Sequence, residues 1–94
     1  MLMGINELRT GLLVQHTTPR GTDLYQVSTV HPQGAALQWV YSRARGGQDG
    51  YLPSRTSVVM FSNREIDRHL RPASTQMANR FQAALDSRRA EVEA

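Results

Sequence analysis

The chain has 94 residues and 10.5 kDa, is 39% hydrophobic and 20% charged, and carries a formal net charge of +3 with a sequence pI near 10.2. That length holds one domain, because a second core would have too few residues to bury, and the absence of cysteine excludes a disulfide framework, a thiolate zinc site and a cysteine nucleophile. No stretch approaches the ~20 apolar residues of a membrane span and no charged-then-apolar leader opens the chain, so the expectation is a small cytoplasmic domain of bacterial or phage-like scale, with no membrane partner.

Met1 to Arg9 reads as a lead-in of about one helical turn, with Ile5 and Leu8 pointing inward. Gly11 to His16 is a short strand, and Thr17 to Thr22 is turn material with Pro19 and Gly21 where a reversal needs them. Leu24 to Val30, rich in β-branched and aromatic residues, is the clearest strand. His31-Pro32-Gln33-Gly34 turns the chain into a third strand, Leu37 to Ser42, in which Leu37, Trp39 and Tyr41 alternate with Gln38, Val40 and Ser42. Arg43 to Gly50 is a glycine-rich loop. Tyr51 to Ser54 and Thr56 to Phe61 follow, with Pro53 placing the first of them at an edge because it cannot donate to a ladder.

Helix begins at a concrete signal. Ser62-Asn63-Arg64-Glu65 fits a capping box, and Phe61 and Ile66 stand where a hydrophobic staple needs them. This helix is expected over residues 62–71, held back by Pro72. A second helix is expected over residues 74–89 with Met77, Phe81, Ala84 and Leu85 on one stripe; Arg88 interrupts the stripe, and residues 90–94 should fray.

About five short strands closed by helix describe an α+β domain whose strands must close or cover their edges. The lead-in Gly11, Tyr25-Gln26-Val27, Trp39-Val40-Tyr41, the Arg43–Gly50 loop and the closing Phe61 together resemble the SH3-like and Tudor-like small barrels of bacterial and phage proteins. The resemblance covers residues 8–61 and implies an antiparallel β-barrel serving as a binding module for nucleic acid, peptides or protein partners.

Nothing in the motifs points to catalysis. His16, His31 and His69 form no close-spaced pair, no nucleophile elbow or Walker pattern is present, and the eight acidic residues are scattered. No metal and no cofactor is expected, and the chain reads as a non-enzyme. What stands out is arginine: all eleven basic residues are arginine, while Glu7, Asp23, Asp49, Glu65, Asp67 and Asp86 are the only acids before Glu91 and Glu93. A GC-rich coding sequence would produce the same swap of lysine for arginine, so its distribution matters more than its total.

Arg43 and Arg45 stand beside Gly46 and Gly47, directly after Trp39 and Tyr41, with Arg55 returning beyond the loop. Guanidiniums holding phosphates while strand aromatics stack bases is a recurrent arrangement, although a domain this small also needs those aromatics in its core. Arg64, Arg68 and Arg71 recur at helical spacing on one face of the first helix. These six arginines form the expected nucleic-acid patch, for DNA or RNA, with Trp39 and Tyr41 as stacking candidates. The alternative is a protein-interaction factor, such as a small phage- or plasmid-encoded adaptor or inhibitor. It would set the same arginines on an acidic protein surface, or use Met77, Phe81 and Leu85 as a partner or homodimer face on the C-terminal helix.

Overall fold

The computed structural model describes residues 7–46 and 50–93; Ile5 and the tip of the glycine loop, residues 47–49, lie outside the described residues. The chain order is β1 (Leu13–Thr18), β2 (Gly21–His31), β3 (Gly34–Ala44), β4 (Gly50–Tyr51), β5 (Ser57–Ser62), α1 (Asn63–His69), β6 (Leu70–Pro72) and α2 (Thr75–Glu93). The strands form one six-stranded antiparallel sheet in the order β4-β3-β2-β1-β6, with β5 pairing the same side of β3 beyond β4.

The expected closed barrel is not what the strands make. The sheet is open, with β5 and β6 as unjoined edges, and α1 spans from one to the other. A sixth strand appears where helix was expected: α1 stops at His69, Leu70 takes an extended conformation (φ −96°, ψ 143°), and Leu70, Arg71 and Pro72 pair with His16, Gln15 and Val14. The residue before a proline is pushed out of the α region, and here the edge of β1 takes up the extended chain. The start of α1 follows expectation. The Ser62 hydroxyl accepts from the Glu65 N–H at 3.2 Å, the Glu65 carboxylate accepts from the Ser62 N–H at 3.1 Å, and Phe61 and Ile66 share one core cluster.

Alternating residues of β1 and β2 divide between the two faces of the sheet. Val14, Tyr25, Val27, Leu37, Phe61, Ile66 and Leu70 fill one face beneath α1, with Tyr25 and Phe61 edge to face at 5.4 Å. Leu24, Tyr41 and Met77 form the second cluster, where Phe81 and Ala84 of α2 cover the other face. The expectation that Leu37, Trp39 and Tyr41 share one face fails at Val40. Tyr25 pairs with Trp39 but Leu24 pairs with Tyr41, so Val40 is an extra residue in β3. One inserted residue inverts the side-chain parity of everything beyond it. Trp39 therefore packs on the first cluster and Tyr41 is buried in the second. The second helix runs to Glu93, past the expected fraying point.

Candidate nucleic-acid interface

At one end of the sheet the β1–β2 turn and the end of β3 are locked together. The Arg45 N–H donates to the Arg20 carbonyl at 2.9 Å, and the Thr18 hydroxyl takes the Arg20 N–H at 3.2 Å. Gly21 makes this possible, because a Cβ there would run into the carbonyl of Arg43 on the neighbouring strand. The start of α2 is fixed against the same end. Ala73 donates to the Leu13 carbonyl at 3.0 Å, the Gln15 side chain accepts from the Ser74 N–H at 2.9 Å, and the Ser74 hydroxyl accepts from the Met77 N–H at 3.1 Å.

Between β3 and this helix start lies a cleft of about 440 Å³ lined by Arg43, Arg45, Thr17, Thr22, Ser74 and Gln76, among others, none of them acidic. Arg43 is half-buried and Arg45 exposed. The first turn of α2 holds no acidic residue, so the positive end of the helix dipole is not offset there. Hydroxyls and guanidiniums facing one cleft are the donors an oxyanion needs, and arginine presents them as a planar fork.

Further along the same two elements lies a second cleft of about 340 Å³. Its walls are Gln38, Trp39 and Val40 of β3, the segment from Leu52 to Thr56, and Phe81, Leu85 and Arg88 of α2. It too lacks a carboxylate, and Arg55 faces it together with Arg88. Trp39 is half-buried: its indole N–H donates to the Ser42 hydroxyl at 2.7 Å and its ring meets Tyr51 edge-on at 6.0 Å. Both clefts are bordered by residues of β3 and α2, though no residue lines both, and each holds a pair of arginines.

The six expected arginines do not line one cleft. Arg43 and Arg45 come together, Arg55 joins Arg88 instead, and Arg64, Arg68 and Arg71 line neither cleft. Because α1 ends at His69, Arg71 sits on β6 and the helical row of three is not formed; all three side chains are exposed. Tyr41, only 3% exposed and packed against Phe81, has no ring face to offer a base. Met77 is likewise taken up by the chain's own second cluster, with Phe81 beside it, so the apolar stripe of α2 is largely covered, and Phe81 and Leu85 border the second cleft. Arg88 was legible as a member of that stripe, at i+7 from Phe81, but spacing shows only a break in apolarity and not the cleft it borders.

Two histidines distant in sequence do meet. His16 of β1 and His69 at the end of α1 have ring centroids 5.2 Å apart. Nearby, the Glu65 carboxyl is held below its ordinary range by the Ser62 backbone N–H first, then by the Ser62 hydroxyl and the charges of His69 and His16. Among the described residues no three histidine or acidic side chains are grouped to hold a metal ion. In the core, burial and then the Asp23 charge push the Tyr25 phenol up from its ordinary value. No described helix is long and apolar enough to cross a membrane. Compared with known protein families, curated proteins and solved structures, the chain matches none.

Proposed function

We propose that the chain is a non-enzymatic cytoplasmic nucleic-acid-binding module whose two clefts between β3 and α2 hold a phosphate backbone. Arg43 and Arg45 grip one end, Arg55 and Arg88 the other, and the Trp39 ring borders the second cleft as a stacking surface. The reading rests on one observation: two clefts bordered by residues of β3 and α2, each with a pair of arginines and neither with a carboxylate. From Met77 to Arg88 the helix rises about 16 Å at ~1.5 Å per residue. That length is on the order of five steps of a duplex at 3.4 Å per strand. The scaffold is, in this reading, an opened relative of the SH3-like small barrel, with β6 returning to β1 across α1 while β5 stays unjoined.

Anisotropy titrations with short single- and double-stranded oligonucleotides at several salt concentrations test the proposal. Four phosphate contacts give a log–log salt slope of about −3.6 on duplex and about −2.8 on a single strand. Arg45→Ala and Arg88→Ala should each flatten that slope by roughly one contact, while Arg64→Ala and Arg68→Ala leave it unchanged. Absence of binding at low salt, or equal losses from both pairs of variants, defeats the reading. Capture of an acidic protein from nuclease-treated lysate, with no oligonucleotide binding, would instead favour the adaptor or inhibitor function on the same clefts.

A further inference from the structure

The sequence of β5, Ser57-Val58-Val59-Met60-Phe61-Ser62, contains neither a charge nor a proline. One side of it is laddered to β3, from Trp39↔Ser57 to Gly34↔Ser62, without a bulge, and among the described strands none pairs with its other side. Ser57 to Met60 are all exposed, with Val58 at 58%, Val59 at 40% and Met60 at 61%. Bare sheet edges are templates for further pairing and are ordinarily guarded by charge, proline or a bulge. The other edge has such guards, since β6 is only Leu70-Arg71-Pro72. The β5 edge has none.

The ladder also tells which backbone groups are unused. Just beyond it, the Asn63 N–H donates to the Gln33 carbonyl at 3.1 Å. Hydrogen-bonded pairs alternate along an unbroken antiparallel ladder, so the groups of Phe61, Val59 and Ser57 face β3, whereas those of Met60 and Val58 face the open edge. These two residues, separated by one position, are what an antiparallel copy of the same strand requires.

We propose that β5 pairs with β5 of a second copy of this chain about a two-fold axis at Val59, setting Val58 of each copy opposite Met60 of the other. Each such pair exchanges both of its N–H···O=C bonds, and the contact closes on itself as an isologous interface. Val59 meets its counterpart on the face of the first cluster, while Val58 and Met60 of both copies make one apolar row on the opposite face. Charge does not oppose the register, because Ser57 to Ser62 carries none in either copy. Pairing of β5 with β6 of another copy is disfavoured, because Pro72 has no N–H and β6 is three residues long. The contact is smaller than the roughly 1,200 Å² of a standard interface, so the dimer is weak and concentration-dependent. It replaces the homodimer through α2, whose Met77 is buried at home.

Sedimentation velocity of the full chain from micromolar to millimolar concentration tests the pairing, expecting a shift from 10.5 kDa toward twice that mass. Val58→Pro removes an edge-facing N–H while sparing the β3 ladder, and Met60→Lys adds the charge this edge lacks. Each should raise the dimer dissociation constant at least about tenfold, with circular dichroism unchanged, while Leu85→Glu has no effect. In the unmodified chain, hydrogen exchange at the Val58 and Met60 amides should slow as concentration rises, a readout that needs no variant. A chain monomeric throughout, a dimer broken by Leu85→Glu and not by Val58→Pro, or no concentration-dependent protection at those two amides overturns the pairing.

Discussion

The indole N–H of Trp39 donates to the Ser42 hydroxyl at 2.7 Å, bridging the two ends of the bulge at Val40. That hydroxyl spends its own proton on the carboxylate of Asp23, directly across on β2. Ser42 is 5% exposed, so its oxygen has little water to turn to. Ser42→Ala strands an indole donor and weakens the hold on a half-buried carboxylate, which should cost about 1–3 kcal/mol. Urea unfolding followed by the emission of Trp39, the single tryptophan of the chain, measures both the loss of stability and the altered indole environment.

The capping box of α1 makes a second prediction. Replacing Ser62 with alanine removes the acceptor for the Glu65 N–H and should cost about 1 kcal/mol in thermal or denaturant unfolding.

Protonating Glu65 weakens the other half of the same box. Its folded value lies below the ordinary 4.5, because the Ser62 N–H and the neighbouring histidines favour the charged form. The stabilisation is therefore complete above pH 4.5 and is lost as pH falls through the lower folded value. Glu65→Gln should flatten this part of the acid limb of stability measured from pH 6 to about 3.

Gly34 opens β3 where the strand lies against β5. A Cβ there would collide with the carbonyl of Phe61, which is backbone and cannot swing aside. Gly34→Ala should destabilise by about 1–3 kcal/mol, like other overpacked sites. Unchanged stability would show that the β3–β5 approach is looser than the ladder from Gly34↔Ser62 onward implies.

Whether α2 belongs to the folded body is decided at Met77, which is 5% exposed and packs with Leu24 and Tyr41. Met77→Ala should cost about 2–5 kcal/mol. A chain ending at Pro72 would expose Leu24 and Tyr41 together and should lose cooperative unfolding. A truncated chain that melts as sharply as the full one would show that the first cluster suffices.

Much of the architecture was legible because its signals are local. The β-branched run through Val30, the proline-containing turn at His31–Gly34 and the paired signals at Ser62–Glu65 and Phe61/Ile66 each act within a few residues, and the structure carries all of them. The failures have a common cause in long-range pairing. Arg71 has helical spacing from Arg64, but β1 offers an unpaired edge to Leu70–Pro72 and outcompetes another helical turn. Tyr41 alternates correctly with Trp39 in sequence, yet one inserted residue opposite β2 reverses the face it occupies.

By itself, then, the sequence determined an α+β class, an uninterrupted arginine chemistry and the start of α1, since composition and short-range hydrogen bonding suffice for these. Only the tertiary structure decided which arginines share a cleft, with Arg55 and Arg88 on one that Arg64 does not line, and that the sheet stays open with one side of β5 unpaired among the described strands. The reason is physical: a strand's partners and the face of each side chain depend on register with segments far along the chain, and one bulge shifts both.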